Sequence, residues 1–196
     1  MIKVSRTTKE TQIELSLDIN ANDMKAPKDK NISTGLPFFD HMLDQLASHA
    51  GWYIDLQVTA DLEVDDHHGI EDVAICLGEA LYQAWQAAKP NQRYGQRLLP
   101  MDEAMTLCAV DLCGRPYSVI DLPFSQPMLG GINTEMWEHF FYTLAINSKI
   151  CLHLKSQYFR NNHHLVESAF KALAYALKEA LKPVTGTAER STKGML

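Results

Sequence analysis

Two stretches of this chain carry the same chemistry in different letters. "DDHHGIED" (Asp65–Asp72) and "NNHHLVES" (Asn161–Ser168) each set two adjacent histidines ahead of a glutamate, at the head of a helical pattern. His67 and His163 lie 96 positions apart, and His41 in "FFDHML" lies 98 positions from His139 in "WEHFFY". Half of the 196-residue chain is 98. An offset of half the length marks an internal repeat, and a repeat obliges the second half to rebuild what the first half builds.

The coarse pattern agrees. "TQIELSLDI" (Thr11–Ile19) alternates apolar and polar residues as a half-buried strand does. Pro37–Ala50 has helical spacing with proline at its start, and Tyr53–Ala60 alternates again. An amphipathic helix follows from about Gly69 to Ala88, stopped by Pro90. In the second half, Met105–Leu112 and Tyr117–Leu122 read as strands joined at a turn-like "CGRP". Thr134–Ser148 reads as a helix, Lys149–Lys155 as a strand, and roughly His164–Leu181 as a helix stopped by Pro183. Each half is thus about strand-strand-helix-strand-helix, which predicts an α+β fold of two tandem pseudo-twofold repeats with helices packed on sheets. The repeats are 1–92 and 93–196, forming one compact unit. Polar Ala21–Thr34 is expected to be a crossing loop, and aperiodic Val184–Leu196 a mobile tail.

Composition narrows the function. An apolar share of 46% supports a real core. A net charge of −6 argues against general binding to nucleic acid or anionic membrane. No apolar run is long enough to span a bilayer, and "MIKVSRTTKETQIEL" lacks a signal-peptide core, so the expected location is cytoplasmic. Cys76, Cys108, Cys113 and Cys151 form no Cys-x-x-Cys pair and read as reduced, mostly buried thiols.

Neighbours on a helix point about 100° apart, so His67 and His68 are poorly placed to chelate one ion together but can each serve a different ion. Glu71 shares a face with either of them, and His163, His164 and Glu167 repeat the arrangement. With His41 and His139 the total is six histidines and two glutamates, or two sites of three His and one Glu. A duplicated core repeats apolar positions; packing gives no reason to repeat three titratable ones. Imidazole suits transition metals, and a carboxylate among the ligands favours the harder members of that set. Ligands drawn from both repeats meet at an interface, either between halves or between subunits. His49 and His153 fall outside the repeat, and by themselves read as structural residues.

The chain resembles the imidazoleglycerol-phosphate dehydratase family over nearly its whole length. The resemblance rests on "RTTKET", "TGLPFFDHMLDQLASH", "DDHHGIED", "LGEAL", "RYG", "PMDEA", "GRP", "NNHH" with Glu167, and "STKG", in that order. Three positions depart from it. Gly69 replaces a usual Thr, "TADL" around Ala60–Leu62 replaces a usual Gly-Asp, and Phe159 replaces a glycine. The resemblance implies metal-dependent dehydration of D-erythro-imidazole-glycerol phosphate to imidazole-acetol phosphate in histidine biosynthesis. It implies two manganese ions per chain with ligands shared between subunits, and a homo-oligomer of 24 subunits built from trimers. It carries the metal ligands onto His41, His67, His68, Glu71, His139, His163, His164 and Glu167, the same eight residues that the repeat selects. Phosphate binding falls to Gln45, Arg93, Arg115, Lys171, Ser191 and Lys193, and Glu10 lies near the glycerol portion. Some members are fused to a phosphatase domain with an Asp-x-Asp motif; no stretch of this sequence has that length or motif, so a monofunctional chain is expected.

The substrate pairs a weakly acidic C–H with a hydroxyl that leaves poorly. Cations on both ring nitrogens would favour the imidazolate, which can expel the hydroxyl from the attached carbon; loss of the neighbouring proton then gives an enol and finally the ketone. Glu167, Glu71, Glu10 and His49 are the candidates for moving that proton. A binuclear phosphohydrolase is the enzymatic rival and a metal-storage or metal-dependent assembly protein the non-enzymatic one. The "STKG" tail reads as a cover that closes over bound phosphate. Deleting Ser191–Leu196 is therefore expected to raise the Michaelis constant strongly, as steady-state kinetics would register.

Overall fold

The computed structural model describes residues 1–20, 31–88 and 90–184. The first half runs β1 (Ile2–Thr7), β2 (Thr11–Asp18), β3 (Asn31–Ser33), α1 (Pro37–Ala50), β4 (Tyr53–Ala60) and α2 (His67–Ala87). The second runs β5 (Tyr94–Met101), β6 (Ala104–Asp111), β7 (Tyr117–Asp121), a small hairpin of β8 (Met128–Leu129) and β9 (Ile132–Asn133), α3 (Glu135–Asn147), β10 (Cys151–Tyr158) and α4 (Asn162–Ala180). Apart from the inserted hairpin, the two orders are identical. Each half therefore holds three strands before its first helix, one more than the sequence suggests.

The sheets repeat as well. One has the order β1-β2-β4-β3 and the other β5-β6-β10-β7. In each, the first three strands pair antiparallel and the fourth lies parallel to its neighbour. The link through "CGRP" is consequently no hairpin turn, because β10 lies between β6 and β7. Strand β3 comes from the end of the segment read as loop; residues 21–30 of that segment, and the tail beyond Val184, lie outside the described residues.

Alternation explains the buried faces. Strand β2 buries Thr11, Ile13, Leu15 and Leu17 and turns the residues between them outward. Strand β6 does the same with Ala104, Thr106, Cys108 and Val110. Helix α1 ends where Gly51 adopts a left-handed φ of 77° and its N–H caps the Ala47 carbonyl. Helix α4 starts where the Asn161 side chain accepts from the His163 N–H.

Helix packing is crosswise. Helix α2 lies on β1 and β2, and α4 on β5 and β6, so each long helix covers its own sheet. Yet α1 of the first half packs on α4 of the second, and α3 of the second packs on α2 of the first. One hydrophobic cluster contains side chains from both halves, with Trp85, Trp137, Phe140 and Phe170 among its fully buried members. Burial pushes the Cys76 thiol up to about 12 and raises Cys108 further, so neither is a reactive thiolate near neutral pH. No helix among the described residues is long and apolar enough to cross a membrane.

Strand β5 lies hard against α4. A Cβ added to Gly95 would stand 1.9 Å from the Ala176 carbonyl oxygen and 2.7 Å from the Ala180 nitrogen, both backbone atoms that cannot yield. Overpacking of this kind typically costs about 1–3 kcal/mol. Gly95→Ala is expected to reach the upper end of that range, measured as the stability lost in denaturant unfolding.

Candidate metal centres

The crosswise helix pairs decide which histidines meet. His163 and Glu167 occupy the first turns of α4, where α1 brings His41 alongside. His67 and Glu71 occupy the first turns of α2, where α3 brings His139 alongside. Each group can place its three ligand atoms within 4.8 Å of one another. Each also takes one histidine from one repeat and a histidine and glutamate from the other.

The distances suit a cation. Metal–donor bonds of about 2.0–2.2 Å put neighbouring donors about 3 Å apart and opposite donors about 4.4 Å apart. In the α1–α4 group, His163 Nε2 lies 2.9 Å and His41 Nε2 3.4 Å from Glu167 Oε2. In the α2–α3 group, His139 Nε2 lies 3.2 Å from Glu71 Oε1, and His67 Nε2 lies 3.8 Å from Glu71 Oε2. Two imidazoles and one carboxylate form a donor set that a transition ion accepts and that leaves coordination positions open.

The surroundings of the two groups differ. The Glu167 side chain is 8% exposed, and Lys171 Nζ holds its second oxygen at 2.6 Å. Burial would raise that carboxyl, but the bonds from Lys171 and His163 outweigh burial and hold it below its ordinary value. The Glu71 side chain is 38% exposed, and one turn along α2 the place of a lysine is taken by Ile75.

His68 and His164 join neither group. The paired rings diverge, with centroids 6.2 Å apart for His67 and His68 and 6.0 Å for His163 and His164. His68 Nδ1 faces both oxygens of Asp61 at 3.1 Å, while Glu10, an exposed carboxylate, stands 3.9 Å from Nε2 of the same ring. His164 Nδ1 faces Glu103 at 2.9 and 3.1 Å, with Asp102 3.7 Å from its Nε2. The Asp61 bond raises the His68 imidazole above its ordinary value despite some desolvation, and the His164 bond lowers the Glu103 carboxyl. Asp61 and Glu103 were not singled out in the sequence, although "TADL" and "PMDEA" contain them.

The departures at Ala60 and Gly69 are two sides of one contact. A Cβ on Gly69 would stand 3.2 Å from the Cβ of Ala60. A methyl group on the strand thus takes up space beside the helix and sets the end of β4 against the start of α2.

The remaining candidates are dispersed. Half-buried Gln45 follows His41 by one turn of α1. His49 follows by two turns, about 12 Å along the axis, and its Nδ1 lies 3.2 Å from the Tyr175 hydroxyl. Lys171 is paired with Glu167. Arg93 sits near the far end of α4, with φ of 67°, its N–H on the Ala180 carbonyl and its guanidinium forked onto Asp111 at 2.7 and 3.1 Å. Arg115 is exposed in the β6–β7 link. Ser191 and Lys193 lie outside the described residues.

Duplicated helix-borne clusters of two imidazoles and a carboxylate define an α+β protein built around paired candidate metal centres. A family model described as imidazoleglycerol-phosphate dehydratase matches residues 34–177. The enzyme of that name from Chlorobium chlorochromatii is 46% identical over 98% of this chain and 95% of its own length. That from Acetivibrio thermocellus is 45% identical over 99% and 97%. The crystal structure of the Pyrococcus furiosus enzyme in complex with (S)-C348 superposes with a TM-score of 0.83 at 34% identity, covering 98% of this chain and all of that one. That of the Staphylococcus aureus enzyme gives 0.82 at 32% identity, covering 93% and 98%. The chain belongs to the imidazoleglycerol-phosphate dehydratase family.

Lys171→Met removes the lock on Glu167 and has no equivalent at Glu71. It is expected to weaken divalent-cation binding at the α1–α4 group by about tenfold. Calorimetric titration should show the α2–α3 group unchanged.

Proposed function

We propose that this chain removes water from D-erythro-imidazole-glycerol phosphate to give imidazole-acetol phosphate, as a metal-dependent hydro-lyase of histidine biosynthesis. The carrying observation is the family membership together with two groups, each of two histidines and a glutamate, in a chain 46% identical to a relative of that name. Two manganese ions per chain are the proposed cofactor. They would be held by His41, His163 and Glu167 and by His67, His139 and Glu71, with His68 and His164 as the third imidazoles. Bound there, the ions supply Lewis acidity and a template for the imidazole ring.

Each group is one imidazole short of three, and the second histidine of each His-His pair, His68 or His164, lies outside both groups. That supports the reading that His68 and His164 complete centres on neighbouring copies of the chain, in a 24-subunit assembly built from trimers. Repeats 1–92 and 93–196 form one unit in this reading, and the protein works in the cytoplasm. The chain's own residues do the rest. Glu10, which lies on the Nε2 side of His68, and Glu71, Glu167 and His49 are the proposed proton carriers at the reacting carbons. Gln45, Arg93, Arg115, Lys171, Ser191 and Lys193 receive the phosphate, arginine as a planar fork and lysine as a point charge.

The test is incubation with imidazole-glycerol phosphate. Ketone formation with phosphate retained, and about two manganese ions per chain by elemental analysis, are expected. His68→Ala and His164→Ala should each abolish turnover while circular dichroism stays native. Release of inorganic phosphate, or full activity in either variant, would count against this function.

A further inference from the structure

His68 and His164, the members of the His-His pairs that join neither the α2–α3 nor the α1–α4 group, each have a carboxylate behind them, and His164 clusters with Asp102 and Glu103. A carboxylate only accepts, so a neutral ring facing one through Nδ1 carries its proton there and its lone pair on Nε2. Asp61 imposes this on His68 and Glu103 imposes it on His164.

The two carboxylates are not repeat equivalents. Glu103 stands in the tight β5–β6 turn, beside Asp102 with its left-handed φ of 48°. The matching turn of the first repeat, between β1 and β2, carries Glu10, which lies towards the other nitrogen of its histidine. In the first repeat the carboxylate on Nδ1 comes instead from Asp61, directly after β4. Two unrelated positions therefore produce one outcome: a close carboxylate on Nδ1, with the nearest carboxylate to Nε2 farther off, Glu10 at 3.9 Å for His68 and Asp102 at 3.7 Å for His164. Common descent from a single ancestral repeat would place the carboxylate at one position, so the recurrence lies in the orientation of the ring.

We propose that Asp61 and Glu103 are positioning residues that fix the tautomer and aim of His68 and His164, so that each Nε2 is delivered as a ligand to a cation. The proposal rests on the metal-dependent reading above. It also divides the work of the first repeat: with Asp61 orienting the ring, the turn carboxylate Glu10 is left on the Nε2 side, where a reacting group belongs. The backbone of Asp61 bonds the Glu10 carbonyl and the Val64 N–H independently of its side chain, so substitution leaves the local chain path intact.

The test is a manganese titration of the chelator-stripped, full-length protein, following unbound ion by electron paramagnetic resonance. Wild type is expected to bind two ions per chain. Asp61→Ala should weaken one of them on the order of 10–100-fold and leave the other unchanged, and Glu103→Ala should do the reverse. Asp61→Asn, whose carbonyl still accepts from Nδ1, should keep most of the affinity, and all variants should melt like wild type when stripped. Wild-type affinity at both sites in the two alanine variants overturns the proposal and leaves the two-centre reading standing. So does equal weakening of both sites by Asp61→Ala, which would show an effect through the fold. A wild-type protein that takes up no manganese overturns the metal-dependent reading, and this proposal with it.

Discussion

The crosswise contact of helices governs this molecule. Because α1 packs on α4 and α3 on α2, neither repeat can close its core without the other, and neither can assemble its histidine group alone. The same pairing buries Phe39, Phe140 and Phe170 against one another in the centre, with rings 5.4 and 5.2 Å apart. Placement of the candidate metal-binding side chains is thus a by-product of core packing. These side chains sit on the first turns of rigid helices rather than on loops, which suits a site that must hold its geometry.

Divergence of adjacent residues on a helix is the second constraint. About 100° separates His67 from His68 and His163 from His164, and each pair splits accordingly. One member joins the group inside the chain, and the other is held off by a carboxylate. A helix cannot direct both members of such a pair at one ion.

Much of this was legible in the letters. The 96-residue offset between the His-His pairs exposed the repeat, and periodicity placed α1 and β4 at their observed bounds. The misses have physical causes. Strand β5 contains Gly95 and Pro100 and lies at a sheet edge, where alternation is not enforced on both sides. Strand β3 is three residues long and polar apart from Ile32, and it exists only through its pairing with β4. Local sequence cannot show that β10 would insert between β6 and β7. No spacing marks Asp61 and Glu103, because which ring each one faces is a matter of tertiary contact.

A chain made of two like halves has no inherent front or back. The bond between Lys171 and Glu167, with Ile75 at the corresponding place beside Glu71, removes that ambiguity. One histidine group carries a buried acid pinned by a lysine, and the other a half-exposed acid that meets imidazoles alone. The two copies of the cluster are therefore electrostatically distinct, and the duplicated scaffold offers a cation two unlike sites.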